Sequence, residues 1–452
     1  MQAETVAPGL IIAAPASGSG KTVVTLALLR ALANSGVNVT SAKAGPDYID
    51  PAFHRFATGR ACVNLDSWAM RPATLSNLVT VHSISAELLL AEGVMGLFDG
   101  VNLPGRPGAG STADLAASTG WPVVLVVDAG RQAASVGALV SGFAGHRDDV
   151  DVVGVIFNRV ASESHTAVLK AAVAQATPDV AVLGAVPRTS ELTLPERHLG
   201  LVPAGEHDAL EPFLDNAARI AAENIDLSAL QRLARPARNV AAENDISSML
   251  PPPIPPLGQR IAVAQDLAFG FAYGSVLEAW RNAGAEIVPF SPLADQAPAT
   301  DADAVYVPGG YPEMHAGELA AATAFLDGLR TAAARNAVIF GECGGYMVLG
   351  ESLTDGDGVK HAMAGLLPVE TSFAERRLHL GYRVATLAGE GPLGARGTAY
   401  RGHEFHYASV VREGPGRPLF EVKSAAGAGL GPCGRVDGTV SGSFIHLIDR
   451  AA

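Results

Sequence analysis

A cysteine in a glycine-rich turn is the residue of this chain that is best suited to act as a nucleophile. The apolar residues 338–340 predict a short buried strand, and Tyr346–Leu349 predicts the start of a helix. Between them the chain reads Gly-Glu-Cys-Gly-Gly, with the cysteine at Cys343. A sharp turn between a strand and a helix exposes a nucleophile, and glycine tolerates the crowding that such a turn creates. The pattern predicts that a thiol attacks an amide and releases ammonia.

This thiol needs a base, and the chain offers several histidines. His446 lies near the end of a predicted strand, and His403 and His406 are alternatives. A Cys343 thiolate paired with a His446 imidazolium would lower the pKa of the thiol and then protonate the departing ammonia. Glutaminases with an H-x-E motif have a glutamate two residues after the histidine, but this chain has Ile448 there. We therefore expect either another orienting carboxylate or a site that works as a Cys–His dyad.

The attack on an amide also needs backbone donors for the oxyanion that forms. The N–H of Gly344, directly after the cysteine, is one candidate. Residues 307–313 form a second glycine-rich turn after a predicted strand, and Gly310 within it is the other candidate.

A second chemical signature, near the start of the chain, is typical of a loop that binds phosphate groups. Residues 15–22 read Pro-Ala-Ser-Gly-Ser-Gly-Lys-Thr, which departs from the pattern G-x-x-x-x-G-K-[ST] only in having Pro15 in place of the first glycine. Backbone N–H groups and the N-terminus of the following helix would cradle the phosphates of ATP. Lys21 would neutralise the transferring phosphoryl group, and Thr22 would ligate Mg²⁺. The predicted ATP-binding residues of this loop are Ser17, Gly18, Ser19, Gly20, Lys21 and Thr22.

Acidic residues that follow the next two predicted strands are candidates for holding Mg²⁺. The carboxyl ends of strands in an open parallel sheet line the ligand crevice, so Asp47 and Glu92 are predicted metal ligands, directly or through water. Asp50 and Asp99 could serve as ligands, as contacts for the acceptor substrate or as turn formers. Asn158, at the end of another predicted strand, could bind the nucleotide base or form a local turn.

Length and composition limit the class of protein. A chain of 452 residues fits two or three domains, and 48% hydrophobic with 17% charged residues is typical of globular proteins. The net charge of −13 argues against nucleic acid as a partner. No apolar run reaches the roughly 18 residues of a membrane helix, and no signal peptide is expected. Three widely spaced cysteines favour a reducing cytoplasm.

The order of predicted elements indicates two α/β domains. Apolar runs at 9–14, 37–42, 86–90, 123–127 and 152–157 alternate with helical stretches, which predicts a doubly wound parallel sheet with a phosphate-binding loop. A Pro-rich segment at 236–258 predicts an extended linker between a domain at 1–235 and a domain at 259–452. A new α/β pattern begins at 260, and its last strand is expected around residues 444–445. The stretch from about 355 to 435 shows no clear pattern.

Together these motifs resemble those of the cobyrinic/hydrogenobyrinic acid a,c-diamide synthase family of cobalamin biosynthesis. The resemblance covers nearly the whole chain, and its most specific parts are residues 13–22, 43–51, 64–68, 92–100, 309–313, 341–345 and 402–407. Members of this family join a dethiobiotin-synthetase-like ATPase domain to a class I glutaminase domain. Their catalytic cysteine and histidine match Cys343 and His446, and the third, acidic member is often missing.

The resemblance implies a stepwise amidation. ATP would phosphorylate a side-chain carboxylate of a tetrapyrrole, and ammonia released from glutamine at Cys343 would attack the acyl phosphate. The a and c acetates would be amidated in this way, with Mg²⁺ assisting and with Tyr48 and Asp50 contacting the macrocycle. No nucleic acid or membrane partner is implied, and a homodimer is left open.

The resemblance also leaves alternatives for the substrate and the class. Residues 374–382 and the form of the phosphate loop are similar to the aerobic-pathway version, whose substrate is metal-free hydrogenobyrinic acid. Cobyrinic acid or a nickel sirohydrochlorin could be handled by the same chemistry. A more distant alternative is a ParA-like regulatory ATPase fused to an inactive glutaminase, although the intact turn around Cys343 argues against it.

Overall fold

The computed structural model describes residues 6–194, 196–197, 200–201, 204–206, 209–238 and 251–451. They divide into two compact units. The N-terminal unit consists of the described residues within Met1–Trp68 and Pro72–Met249, and the C-terminal unit of those within Ala69–Arg71 and Leu250–Ala452.

The N-terminal unit is built on a seven-stranded parallel sheet in the order β3-β2-β4-β1-β7-β8-β9. The strands of this unit are β1 Gly9–Ala13, β2 Val39–Ala44, β3 Cys62–Leu65, β4 Leu88–Glu92, β5 Val101–Leu103, β6 Arg106–Ala109, β7 Val123–Asp128, β8 Val152–Val160, β9 Ala181–Pro187, β10 Glu196–Arg197 and β11 Gly200–Leu201. The helices are α1 Lys21–Asn34, α2 Asp50–Thr58, α3 Pro72–Ser83, α4 Thr112–Thr119, α5 Val136–Ala144, α6 Glu163–Ala176, α7 Leu210–Asn224 and α8 Leu227–Leu233. The predicted doubly wound parallel sheet is confirmed.

The position of β1 explains why the phosphate loop follows it. All five residues of β1 are buried, and β4 and β7 pair with it on either side. A strand that is buried on both faces reads as a continuous apolar run, which is what the sequence shows at this point. The carboxyl end of β1 therefore opens between two neighbouring strands, where ligands bind in sheets of this type.

The C-terminal unit contains a six-stranded sheet in the order β13-β12-β14-β15-β25-β24, parallel except for β24, and two smaller sheets. Its strands are β12 Arg260–Ala264, β13 Glu286–Phe290, β14 Ala304–Val307, β15 Val338–Glu342, β16 Ser352–Thr354, β17 Lys360–Ala362, β18 Val369–Ser372, β19 His379–Leu387, β20 Ala399–His406, β21 Ser409–Glu413, β22 Phe420–Ser424, β23 Gly429–Cys433, β24 Arg435–Asp437, β25 Val440–Ser443 and β26 His446–Arg450. Its helices are α9 Gly274–Asn282, α10 Ala316–Ala321, α11 Thr323–Ala334 and α12 Gly344–Leu349.

The end of the chain differs from the prediction of a single strand around residues 444–445. The structure has two strands there, β25 and β26, and residues 444–445 form the connection between them. β25 extends the parallel sheet next to β15, whereas β26 pairs antiparallel with β20. Phe444 and Ile445 are nevertheless buried. The apolar run in the sequence therefore corresponds to the buried connection between β25 and β26 and not to a strand.

The described residues of the predicted Pro-rich linker at 236–258 are packed against the units. Ile254 and Leu257 are buried, and the indole Nε1 of Trp280 donates to the carbonyl oxygen of Ile254 over 3.0 Å. At the other end, Arg238 N–H donates to the carbonyl oxygen of Thr119. Residues 239–250 lie outside the described residues.

Asp449, one residue beyond the position of the missing glutamate, has a structural partner. Its carboxylate accepts hydrogen bonds from the backbone N–H of Arg71 over 2.8 Å and from the Arg71 guanidinium over 3.0–3.1 Å. Asp449 is fully buried, so this pair fastens residues 69–71 to the C-terminal unit.

The core of the C-terminal unit allows a test of the packing. Phe325 of α11 is fully buried and packs between Phe269 and Phe290, with ring centroids 6.3 and 6.1 Å away. We expect Phe325→Ala to lower the free energy of unfolding by about 3–5 kcal/mol, because it removes buried apolar surface and leaves a cavity. Val411, which is 66% exposed, offers the control Val411→Ala, with an expected change below about 1 kcal/mol. Denaturant unfolding of both variants measures the difference, and equal losses would contradict the packing described here.

Candidate functional site

The phosphate loop joins β1 to α1, and its path depends on two glycines. Gly18 and Gly20 have φ angles of 78° and 84°, in the left-handed region that favours glycine. A Cβ atom on Gly20 would also stand 2.1 Å from Nδ2 of Asn158. The hydroxyl of Ser19 donates to the carbonyl oxygen of Ala16 over 2.8 Å and so closes the loop on itself.

Asn158 of β8 holds this loop from the neighbouring strand. Its Nδ2 donates to the carbonyl oxygen of Ser19 over 3.0 Å, and its Oδ1 accepts from the backbone N–H of Arg159 over 2.9 Å. The second bond joins neighbouring residues within β8, so the structure does not show the turn at the strand end that the sequence suggested, and the first bond was not foreseen. Asn158 also lines the cavity beside the loop, and its contact with a nucleotide base stays a prediction.

A cavity of about 1380 Å³ opens beside the phosphate loop. Leu139 and Phe143 give it an apolar wall, and Arg131, Arg159 and Arg188 line it with positive charge. The chain as a whole is acidic, so these arginines supply the local cationic surface that an anionic ligand requires. No motif pointed to these arginines, because they are isolated residues within β8 or after β7 and β9.

A compact group of charges lies behind the loop. Lys43 Nζ is 2.5 Å from Asp50 Oδ2 and 2.8 Å from Glu92 Oε1. The hydroxyl of Thr22 donates to the same Glu92 oxygen over 2.7 Å, and Lys21 Nζ lies 3.6 Å from it. Lys43 and Glu92 are register partners on β2 and β4. The sheet itself therefore brings the lysine and the glutamate together at the edge where the phosphate loop begins.

The electrostatics of this group keep Glu92 charged. Burial alone would raise the pKa of Glu92, but the Lys43 ammonium and the other neighbouring cations hold it well below its usual range. Burial and the Asp47 carboxylate raise the pKa of Asp50 to about 6, against the effect of Lys43. Burial and Lys43 lower the pKa of Lys21. The group therefore offers a fixed negative charge at Glu92 and a titratable one at Asp50.

The predicted loop at 43–51 contributes to the site through its carboxylates. Asp47 Oδ1 accepts from the backbone N–H groups of Ile49 and Asp50 over 2.8 and 3.0 Å, which starts α2. Asp47 and Asp50 both line the cavity, and Asp50 Oδ2 lies 3.5 Å from the hydroxyl of Thr22. Tyr48 is half-buried in the same turn. Asp50, which the sequence left open as a ligand, a substrate contact or a turn former, therefore lies beside the phosphate loop. The role of Asp47 as a metal ligand stays a prediction.

His54 is a residue of this site that no sequence motif indicated. It is fully buried on α2, and its Nε2 lies 2.7 Å from Glu92 Oε2. Its Nδ1 lies 3.5 Å from the sulfur of Cys62. Although burial opposes it, Cys62 and Glu92 raise the pKa of His54 to about 10. A protonated imidazole therefore fixes one oxygen of Glu92 and leaves the other oxygen to Thr22 and Lys43.

The predicted turn around the nucleophile is present in the C-terminal unit, between β15 and α12. Cys343 has φ 47° and ψ −103°, a strained conformation for a residue other than glycine. Its backbone N–H donates to the carbonyl oxygen of Ser443 over 2.8 Å. A Cβ atom on Gly345 would lie 1.8 Å from the carbonyl oxygen of Val307. The close approach of α12 to the end of β14 therefore requires a glycine at position 345.

The structure selects His446 among the candidate bases. A Cβ atom on Gly309 would lie 2.4 Å from Cε1 and 3.3 Å from Nε2 of His446, and 3.3 Å from Cβ of Cys343. The imidazole of His446 and the side chain of Cys343 therefore both lie next to Gly309. His403 stacks on the other face of this ring, with centroids 4.9 Å apart, and its Nε2 lies 2.9 Å from the hydroxyl of Tyr273. His406 stacks on Phe444 instead.

The two predicted oxyanion donors lie next to each other. The backbone nitrogen of Gly310 is 3.2 Å from the position that a Cβ atom on Gly344 would occupy. The N–H of Gly344 points towards the thiol of Cys343 and favours its charged form. The turns after β14 and β15 therefore lie side by side at Cys343, and the roles of Gly310 and Gly344 as oxyanion donors stay predictions.

The electrostatics of the thiol differ from the sequence-based expectation. Burial, followed by the carboxylate of Glu313, raises the pKa of the Cys343 thiol, where an ion pair would have lowered it. Burial and the neighbouring imidazoles of His403 and His406 lower the pKa of His446 well below its usual value. Both shifts favour the uncharged forms and oppose the expected thiolate–imidazolium pair in the absence of substrate, so that pair stays a prediction.

A phosphate loop in one α/β unit and a cysteine nucleophile in another are the two sites of an ATP-dependent glutamine amidotransferase. Residues 10–202 match the family model of the CobQ/CobB/MinD/ParA nucleotide binding domain. Residues 260–451 match that of the CobB/CobQ-like glutamine amidotransferase domain. The fold class and the pairing of domains expected from the sequence are confirmed.

Relatives of known name match the chain over nearly its whole length. The hydrogenobyrinate a,c-diamide synthase of Brucella anthropi is 55% identical, over 98% of this chain and 98% of its own. The enzyme of the same name from a Sinorhizobium species is 52% identical, over 98% of this chain and 99% of its own. The one from Rhodobacter capsulatus is also 52% identical, over 97% of this chain and 98% of its own. The chain belongs to the hydrogenobyrinate a,c-diamide synthase family, as its motifs suggested.

In the part of the chain that the structure describes, no helix is long and apolar enough to cross a membrane.

The contact between His54 and Glu92 can be tested by nucleotide binding. We expect His54→Leu to weaken binding of a non-hydrolysable ATP analogue about 10-fold in the presence of Mg²⁺, because Glu92 loses the bond that orients it. Binding without Mg²⁺ should change much less. Isothermal titration calorimetry measures both constants. Cys433→Ala, at a cysteine of the C-terminal unit, is the control and should leave both constants unchanged, and an unchanged Mg²⁺-dependent affinity in His54→Leu would contradict the assignment.

Proposed function

We propose that the protein uses ATP and glutamine to convert the a and c acetate side chains of hydrogenobyrinic acid into amides. The observation that carries the proposal is that one chain holds both the Cys343–His446 pair and the charged group around Glu92 beside a phosphate loop. The first can release ammonia, and the second can activate a carboxylate. The names of the relatives supply the identity of the acceptor.

The glutaminase half of the reaction follows from the geometry in the C-terminal unit. Cys343 attacks the side-chain carboxamide of glutamine while His446 takes the proton of the thiol. The N–H groups of Gly310 and Gly344 stabilise the oxyanion of the tetrahedral intermediate. Collapse of this intermediate breaks the C–N bond, and His446 passes its proton to the departing ammonia. Water then hydrolyses the thioester to glutamate and restores the thiol.

The ligase half activates the acceptor. A side-chain carboxylate of the macrocycle attacks the terminal phosphorus of ATP and forms an acyl phosphate with release of ADP. Lys21 balances the charge on the phosphoryl group, and the backbone of the loop holds the remaining phosphates. Ammonia then attacks the acyl carbon, and inorganic phosphate leaves. A carboxylate needs this activation because its oxygen is otherwise a poor leaving group.

Mg²⁺ fits the oxygen ligands that surround the phosphate loop. The residues that would hold it are Thr22, Asp47 and Glu92, with Asp50 close by, and all present the hydroxyl or carboxylate oxygens that this cation prefers. Among the described residues no group of three or more His, Cys, Asp or Glu is arranged to hold a metal ion. The remaining ligands would thus be phosphate oxygens and water, as is usual for Mg²⁺. When bound, the cation would supply positive charge at the transferring phosphate.

The acceptor site lies at the start of α2 in this proposal. Asp50 lines the cavity and its carboxylate contacts the Lys43 ammonium, and Tyr48 is half-buried two residues before it. A polycarboxylate macrocycle is a large anion, and Arg131, Arg159 and other basic residues of the cavity provide local compensation. The ParA-like alternative is not favoured, because the strained turn at Cys343 is intact and a base faces it.

The choice of acceptor can be tested by competition. The protein is offered equal amounts of hydrogenobyrinic and cobyrinic acids with ATP, Mg²⁺ and glutamine, and the products are resolved by mass spectrometry. We expect the diamide of the metal-free acid to form at least about 10-fold faster, a difference of about 1.4 kcal/mol in transition-state binding. Preference for cobyrinic acid would reassign the acceptor, and failure to amidate either acid would contradict the proposed function.

The division of labour between the units can be tested at the nucleophile. We expect Cys343→Ala to abolish hydrolysis of glutamine, because no other group can form the thioester, while added ammonium salts still support ATP-dependent amidation. Cys433→Ala, at a half-buried cysteine outside the turn, is the matched control and should keep both activities. Glutamate release and diamide formation are measured in parallel. Full use of glutamine by Cys343→Ala would remove the thiol from the mechanism.

A further inference from the structure

A buried carboxylate stands next to the nucleophile and has no part in the mechanism above. Glu342 ends β15 and is 3% exposed. Its Oε2 accepts a hydrogen bond from the hydroxyl of Tyr306 over 2.7 Å, and its Oε1 accepts from the backbone N–H of Leu447 over 3.1 Å. The same Oε2 lies 3.9 Å from Nδ1 of His446. Burying a carboxylate is costly, so a defined role is expected for it.

The orientation of the His446 ring places its two nitrogens towards different partners. The edge of His446 that carries Cε1 and Nε2 faces Gly309 and, beyond it, Cβ of Cys343. The Nδ1 edge faces Glu342. In a catalytic triad the base uses one ring nitrogen towards the nucleophile while a carboxylate accepts the N–H of the other. The ring of His446 lies in this order between Cys343 and Glu342, and the 3.9 Å between Nδ1 and Oε2 must shorten by about 1 Å for the hydrogen bond to form.

Other carboxylates near the ring are committed elsewhere. Asp449 pairs with Arg71, as described above. Glu404 accepts from the Arg383 guanidinium over 2.5 Å and lies 3.7 Å from Nε2 of His406. Neither is within ion-pair distance of His446 in the contacts of the described residues, whereas Glu342 is.

We infer that Glu342 is the positioning residue of the glutaminase site, taking the role that a glutamate two residues after the histidine has in H-x-E glutaminases. The inference rests on the proposed function. Glu342 accepts the Nδ1–H of His446 and so fixes the tautomer in which Nε2 is free to take the proton of Cys343. Its negative charge then stabilises the imidazolium until the proton passes to ammonia. Glu342 itself neither gains nor loses a proton in the step.

The surroundings of Glu342 predict a pH dependence for glutamine hydrolysis. Burial raises the pKa of Glu342 to about 7, although Tyr306 from β14 and the N–H of Leu447 from β26 favour the charged form. The other titratable groups that face it are His446 from β26 and the thiol of Cys343, and both are held neutral by burial. Glu342 is thus protonated below about pH 7 and charged above it, so glutaminase activity should rise as the pH passes through 7.

The inference is tested with Glu342→Gln, which keeps the shape of the side chain and an oxygen for its hydrogen bonds but removes the charge. We expect kcat for glutamine hydrolysis to fall by roughly 10²-fold with little change in KM, since the binding of glutamine is not affected. The rise in activity near pH 7 should disappear. Amidation with ammonium in the same variant is the internal control and should stay within about twofold of that of the unaltered protein.

A second variant keeps the test decisive if Glu342→Gln does not fold. Tyr306→Phe retains the carboxylate and removes a hydrogen bond that favours its charged form, so the midpoint of the pH profile should move to higher pH. A merely structural Glu342, which ties β14, β15 and β26 together, predicts no shift. The inference is overturned if Glu342→Gln keeps its glutaminase activity or its rise near pH 7, or if Tyr306→Phe leaves the midpoint unchanged. Lack of glutamine hydrolysis in the unaltered protein would instead contradict the proposed function.

Discussion

Both sites depend on one constraint, which is that the carboxyl ends of buried parallel strands lie at the same edge of a sheet. In the N-terminal unit this edge joins the phosphate loop after β1 to Lys43 of β2 and Glu92 of β4. In the C-terminal unit it joins the turn after β14 to Cys343 after β15. Residues that are distant in sequence meet because the sheets set the spacing of the strands, and loops alone could not hold them as firmly.

The same constraint explains which parts could be predicted from the sequence. The apolar runs predicted at 9–14, 37–42, 86–90, 123–127 and 152–157 overlap the strands β1, β2, β4, β7 and β8. Fully buried strands give continuous apolar runs, and the turns after them have distinctive glycines. In the strand Ala399–His406 the buried positions include Gly402, His403 and His406. Because these buried residues are not apolar, the strand shows no hydrophobic periodicity in the sequence.

The partners of the predicted residues were harder to foresee. Glu92 could be predicted from its place after a strand, but the contact with Lys43 depends on the register between β2 and β4. His54 reaches Glu92 from a helix, and Glu342 faces His446 because β26 passes beside β15. Such contacts come from the packing of elements that are far apart in sequence, and no local pattern encodes them.

The buried lysine and glutamate of the phosphate site favour their charged forms, and the buried cysteine and histidine of the thiol site favour their uncharged forms. In the N-terminal unit the buried Lys43 and Glu92 have opposite charges within 2.8 Å, so both stay charged. In the C-terminal unit burial raises the pKa of the Cys343 thiol and lowers the pKa of the His446 imidazole, so the uncharged form of each is favoured. A neutral thiol is a weak nucleophile and resists oxidation. These pKa directions favour a mechanism in which the thiol proton passes to His446 together with the attack on bound glutamine.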